Sequence, residues 1–334
     1  MFNKHTIMAF CIIFFLLVSL TLSAHPTFYG TEGIYRTYAA RATEMGYLTF
    51  GLHGDYAYAD IPDTSDARHY VNINTFLGYA PINFFELALN AKITSRYYFR
   101  SGAEDVYEFA FRGLRPIIKL GLPVFRDTLN QVGLTLGATG YVNIPWQPIE
   151  SSDSEMVEMG FIGTVPREPN FGGFFLTTFD FNVMSIHLNV GYEGPANFKD
   201  EDNIPAYIKN SFNLPEPEKA LLWGVGFEIL TGPYVKFLFE SKGKHYESAI
   251  DTMWITPGIR FVTPVGVTID IGADFATVTD MDFVPDYDGL DQTYATQRSK
   301  WRAFFGITSS SAIFAKPAPP PKATIAGKVT DEET

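Results

Sequence analysis

From residue 45 onward, apolar side chains recur at every second position, the period of a strand with one greasy face rather than the 3.6-residue period of a helix. Twelve segments carry this pattern. The first sets Leu48, Phe50, Leu52, Tyr56 and Tyr58 against Thr49, His53 and Asp55. The third is the clearest: Phe85, Leu87, Leu89, Ala91 and Ile93 alternate with Glu86, Asn90, Lys92, Thr94 and Arg96. The sixth, about residues 171–183, is less clean, although Phe175, Phe179 and Phe181 still oppose Thr178, Asp180 and Asn182. The eighth sets Leu221, Trp223, Val225, Phe227 and Ile229 against Gly224, Gly226 and Glu228, and the twelfth sets Trp301, Ala303, Phe305 and Ile307 against Arg302 and Gly306.

Charge decides what the greasy rows touch. Charged residues make up 19% of the chain, yet these rows hold none, as a surface in contact with lipid requires. The opposite rows carry Glu86, Asp180, Glu228, Glu240, Asp270 and Asp274 together with Lys92, Arg96, Arg115, Lys119, Lys236, Arg260 and Arg302. A soluble barrel with an apolar cavity would alternate in the same way, so connection lengths must separate the two. Connections after the even-numbered segments are brief and rich in turn residues, such as Pro81-Ile82-Asn83, Thr231-Gly232-Pro233 and Thr263-Pro264. Those after the odd-numbered segments are longer: 59–69, 99–107, 146–169, 193–218, 242–252 and 278–299. An even strand count with alternating short periplasmic turns and long extracellular loops is the outer-membrane pattern. Aromatic residues near both ends, including Tyr56, Tyr141, Trp146, Tyr192, Phe84 and Tyr234, suit headgroup belts. The sequence therefore predicts an all-β fold: an antiparallel transmembrane β-barrel of about 12 strands at residues 45–314, in a bacterial outer membrane, with the lipid bilayer as its first partner.

The flanks differ from the barrel. Residues 1–24 read as a signal peptide, with Lys4 before an apolar run from Ile7 to Leu20 and a cleavage site at Leu22-Ser23-Ala24. Cys11, the chain's one cysteine, lies in that segment, so the mature chain has no disulfide and no thiol nucleophile. Residues 25–44 are expected as a periplasmic lead-in, with folding into the lumen left open. Residues 315–322, Ala-Lys-Pro-Ala-Pro-Pro-Pro-Lys, form a stiff Pro-rich linker. Residues 323–334 read as the start of a truncated β-sandwich domain.

Composition excludes some functions. The net charge of −12 argues against nucleic acid, whose phosphates want a basic face. The chain has no phosphate loop, no dinucleotide glycine fingerprint, no His-Glu-x-x-His and no Gly-x-Ser-x-Gly. His53, His69, His187 and His245 have no partner at ligand spacing and read as solvated or hydrogen-bonded side chains, so neither metal nor cofactor is expected. The acidic runs 200–202 and 280–291 read as solvated loops. Ser185 and His187 are same-face neighbours, which a membrane-embedded lipid hydrolase would use, but their face is the lumen. The inward row also holds many glycines, Gly51, Gly78, Gly121, Gly137, Gly224, Gly226, Gly258 and Gly306 among them, and these leave room between the charges. Such room mildly favours passage of solutes.

Gly30-Thr31-Glu32-Gly33-Ile34, Ala39-Ala40 and Gly46-Tyr47-Leu48, followed by a period-two barrel and a Pro-rich linker, resemble multi-domain outer-membrane proteins of the OmpA type. The run Ile325-Ala326-Gly327-Lys328-Val329-Thr330-Asp331 is similar to carboxypeptidase-regulatory-like repeats. The resemblance implies an envelope anchor, with peptidoglycan as a partner through a domain beyond Thr334. Three functions follow from the sequence: a structural anchor with passive passage of small polar solutes, a dedicated porin or transporter with the lumen charges as selectivity groups, and, least favoured, the lipid hydrolase. A non-enzyme is expected.

Overall fold

The computed structural model describes residues 26–27, 29–60, 67–99, 106–127, 132–145, 169–195, 219–246, 252–264, 266–278 and 301–312. Twelve strands account for most of them: β1 Tyr47–Asp60, β2 Ala67–Ile82, β3 Phe85–Phe99, β4 Val106–Asp127, β5 Val132–Pro145, β6 Asn170–Phe181, β7 Met184–Pro195, β8 Ala220–Leu230, β9 Val235–Tyr246, β10 Thr252–Val262, β11 Val267–Val278 and β12 Trp301–Ala312. Each pairs antiparallel with its sequence neighbours, and β1 pairs with β12 to close the cylinder. Closure leaves no edge strand, so every strand N–H and C=O can be satisfied inside a medium that offers no hydrogen bonds.

Alternation sets the faces. Leu52, Leu87, Leu89, Ile118, Leu120, Phe175, Val190, Phe237, Ile271 and Phe305 all point outward and are exposed. Large apolar side chains left bare in this number are untenable in water but are what a lipid-facing girdle needs. Their partners in the alternation, including Glu86, Lys119, Glu228, Glu240, Arg260, Asp270 and Asp274, are buried inside. The greasy-out, charged-in orientation places the chain in a bacterial outer membrane. It excludes the soluble barrel, whose greasy rows would meet across the interior.

The ends of the cylinder differ as expected. Residues 182–183 join β6 to β7, 231–234 join β8 to β9, and 263–266 join β10 to β11. β1 starts and β12 finishes at this same end, which is the periplasmic one by the short-turn rule. The expected signal peptide and Pro-rich linker, residues 323–334 and both acidic runs lie outside the described residues.

Residues 26–46 depart from the lead-in expectation, because they fold into the barrel. Ile34, Tyr35, Ala39 and Ala40 are fully buried, and Thr31, Thr37 and Tyr38 nearly so. Two internal bridges, Pro26 to Glu32 and Gly33 to Tyr38, double the segment back on itself. Gly30, Gly33 and Gly46 take positive φ angles of 95°, 158° and 86°, a region open to glycine at little cost. Gly46 is where the segment turns into β1, its N–H donating to the Ala80 carbonyl at 2.7 Å.

Candidate functional site: the plugged lumen

The wall residues that receive the segment are polar groups matched to its backbone. On β9, the Glu240 carboxylate accepts from the N–H groups of Arg36 at 2.8 Å and Thr37 at 2.6 Å. On β3, Glu86 accepts from the Glu32 N–H at 3.2 Å and from the Thr43 N–H. The Thr178 hydroxyl of β6 accepts from the Ala40 N–H at 2.7 Å. With its amide turned to satisfy both partners, Asn189 accepts from the Tyr38 N–H at 2.7 Å and donates to the Tyr38 carbonyl at 2.9 Å. Arg260 donates to the carbonyls of Gly33 at 3.0 Å and Pro26 at 3.3 Å. A segment without strand partners on the wall thus has its backbone groups met, as buried amides must be.

The wall charges are paired as well. Lys119 meets Glu86 at 2.9 Å, Lys236 meets Glu228 at 2.7 Å, and Arg260 makes a two-pronged bond to Asp270 at 2.6 and 3.0 Å. The segment adds its own ions: Arg36 to Asp274 at 2.8 Å, and Arg41 to Asp180 at 2.5 Å and to Glu32 at 3.5 Å. Burial pushes the Glu32 carboxyl up to about 7, against the pull of Arg41 and Lys119 and with the push of Glu86 and Glu228.

Apolar wall residues hold the segment too. Tyr35 packs edge-on against Phe304 with centroids 4.5 Å apart, and Ile34 and Leu238 join that cluster. Tyr38 and Ala40 pack with Leu176. Gly30 sits against Phe76. Phe76, Ile117, Leu176, Leu238 and Phe304 are inward residues that interrupt the polar rows, and all are buried.

The inward glycines are the matching seats. A Cβ on Gly78 would stand 2.3 Å from the Gly30 carbonyl oxygen, and one on Gly121 would stand 2.0 Å from that of Ala40. Both are below any real contact with backbone. The room read from sequence as space for solutes is occupied by the chain itself.

Of the thirteen lumen charges expected from sequence, Glu86, Lys119, Asp180, Glu228, Lys236, Glu240, Arg260, Asp270 and Asp274 join the networks above. Arg115 stacks between Tyr29 and Tyr141, at 4.5 and 4.7 Å, and donates to Asn143. Arg302 donates to Asp274 at 2.7 Å and lies over Trp254 at 4.5 Å. Lys92 lies on the inward row but is exposed. The Arg96 side chain is outside the described residues. Sequence reasoning missed Arg36, Arg41 and Glu32, which looked like part of a tail, and Glu193, which accepts from Tyr141 at 2.6 Å and Lys244 at 2.8 Å. The apolar interruptions of the polar rows were the signal that something packs there.

Of the two alternatives read for the histidines, His53 and His187 take the hydrogen-bonded one, and both are fully buried. His53 lies 3.2 Å from the Thr308 hydroxyl and His187 lies 2.9 Å from that of Thr178. Ser185 donates to Asp180 at 2.7 Å, so its hydroxyl is directed to a carboxylate rather than to an imidazole base, on a face turned from lipid. Among the described residues no group of three or more His, Cys, Asp or Glu is placed to hold a metal ion.

No protein-family model and no curated protein matches the chain in sequence. Among solved structures it is similar to an outer-membrane channel from Pseudomonas putida F1, with a TM-score of 0.52 and 8% identity over 81% of this chain and 97% of that one. It also matches a NanC porin, with a TM-score of 0.42 and 10% identity over 78% of this chain and 98% of the porin. A third match is the translocator domain of the autotransporter NalP from Neisseria meningitidis, at 0.39 and 6% over 80% and 89%. The first likeness extends to the fold alone, because 8% identity leaves the side chains unrelated. The other two fall below the score at which a shared topology follows.

Proposed function

We propose that the protein is an outer-membrane channel for small polar solutes, closed at rest by its own residues 26–46. One observation carries this reading: Arg260, Lys119, Glu240, His53 and His187 are buried from water, although all face the lumen. An open aqueous bore would wet them. The segment is also built to leave. Its bridges are internal, the wall meets its backbone through side-chain hydrogen bonds that water can replace, and its link to β1 is a positive-φ glycine at the periplasmic mouth. The alternative is a purely structural anchor, favoured by the same ion pairs if the filling is permanent.

A disulfide lock tests the two. The Cβ of a residue at 226 would lie 3.5 Å from that of Thr37, within the range a disulfide spans. The same Cβ would meet the tip of Ile34 at 2.7 Å, and that flexible end can shift. With Cys11 in the expected leader, the Thr37→Cys/Gly226→Cys variant has no competing thiol. In a planar bilayer the oxidised variant stays silent and the reduced one shows discrete openings. Silence of the reduced variant and of a deletion of residues 26–43 would leave the anchor. Conductance in the oxidised variant equal to that in the reduced one would remove residues 26–46 as the gate.

A further inference from the structure

We infer that the outer half of the lumen is a binding vestibule for small organic anions bearing more than one carboxylate. The chain as a whole is acidic, at −12, yet among the described residues the charges that water meets above the plug are mostly cations. Lys92 is exposed, and Arg115, Lys244 and Arg302 are partly so, while the Lys242 ammonium lies covered beside them. The acids at this level are turned into the wall or already engaged. Asp274 is wholly buried behind Arg36 and Arg302 and also accepts from Thr256 at 2.6 Å. Asp55 is buried and accepts from Asn72 at 2.7 Å. Glu193 is held by Tyr141 and Lys244.

The cations also crowd one another. Lys92 feels the charges of Arg115 and Arg302 as well as that of Asp55. Lys242 feels Arg36 and Arg302, and its ammonium stands 3.3 Å from Glu240 without a well-formed hydrogen bond among the described residues. Like charges gathered in one mouth repel, and an anion placed between them would relieve that repulsion. Two carboxylates on one small molecule suit cations on separate strands: Lys92 on β3 and Arg302 on β12 are separated around the wall by β1 and β2. Focusing of field in such a mouth raises the local concentration of the attracted ion. As the entrance to a channel the vestibule rests on the channel reading; as a binding site it does not.

The test uses the full mature chain in detergent, with residues 26–46 locked in place by the oxidised Thr37→Cys/Gly226→Cys pair. Calorimetry with citrate as probe should show saturable binding that weakens as salt is raised. Glycerol and spermidine should show none. Lys92→Gln should weaken citrate about threefold, and Lys92→Gln/Arg302→Gln at least tenfold, while Arg126→Gln, at the opposite mouth, leaves it unchanged. Absence of citrate binding, binding of spermidine of equal strength, or indifference to the double substitution overturns the vestibule. A barrel that binds citrate yet stays silent when the pair is reduced and when residues 26–43 are deleted would sink the channel reading and leave the vestibule standing.

Discussion

The inner and outer halves of the lumen are built from the same residue types and are different materials. In the inner half, the side chains of Lys119 and Glu86 are 0% and 3% exposed, and those of Arg260 and Asp270 0% and 1%. In the outer half, Lys244 and Glu193 are 39% and 15% exposed. The difference is residues 26–46, which exclude water from one half. A pair in the dry half carries a desolvation cost met only when partners and hydrogen bonds are complete; a pair in the wet half is screened and contributes little. The inner half therefore specifies which segment fits, and the outer half presents charge to whatever arrives.

The largest effect expected from this contrast is on Arg260. Arg260→Leu strands the Asp270 carboxylate in a dry wall and removes two hydrogen bonds to the plug backbone. Breaking a buried pair on one side costs about 3–5 kcal/mol, read as a lower urea midpoint for the folded barrel in micelles. Arg260→Leu/Asp270→Leu should recover most of that loss, because no lone charge remains. Failure of the recovery would mean that the bonds to Gly33 and Pro26, rather than the ion pair, hold the site.

Next in size is loss of the seat. Gly121→Ala puts a methyl 2.0 Å from the Ala40 carbonyl oxygen, and backbone cannot yield as a side chain can. The segment should lift off while the barrel stays folded, so trypsin should cut after Arg36 and Arg41 at least tenfold faster. Gly232→Ala, with nothing within 4 Å, should change nothing. Equal protection in the Gly121 variant would show that residues 26–46 are not seated on β4.

Much of this contrast was beyond the reach of the sequence, for a physical reason. The barrel was legible strand by strand because a period of two imposed by lipid on one side is a local signal, and rows such as Phe85, Leu87 and Leu89 against Glu86 and Asn90 repeat it. The same rule marks Glu86, Lys119, Glu228, Glu240, Arg260, Asp270 and Asp274, which lie buried inside, while the Arg96 side chain is outside the described residues. The plug was not, because residues 26–46 have no period: their partners lie as far away as Asp274 and Glu240, and their groups are met one at a time. Gly78 and Gly121 looked like empty space because a missing side chain does not say what fills its place. Phe76, Leu176, Leu238 and Phe304, apolar where the row should be polar, were the one trace of the occupant.

Glu32 provides a smaller, graded test of the dry half. Burial raises its carboxyl to about 7, so the docked segment favours the protonated form more than the undocked one does. That contribution is fully present below the ordinary glutamate range and is lost as pH rises through about 7. Arg41, Lys119, Glu86 and Glu228 face the group. Open probability in a planar bilayer should therefore rise between pH 5 and pH 8, and Glu32→Gln should flatten the rise. A profile that runs the other way would mean that the attraction of Arg41 and Lys119 outweighs burial.

The smallest effect belongs to the wet half. Lys244→Gln removes a 2.8 Å pair with Glu193, geometrically as good as the pair of Lys119 with Glu86 at 2.9 Å. Distance alone would rank them equal. Because the Lys244 side chain keeps contact with water and Glu193 retains the Tyr141 hydroxyl, the loss should stay below about 1 kcal/mol. Lys119→Gln, which leaves Glu86 buried and paired only to backbone N–H groups of the plug, should cost several times more by the same urea titration. If the two variants unfolded at the same midpoint, the outer half would be as dry as the inner, and closure of the lumen would have to extend well above residues 26–46.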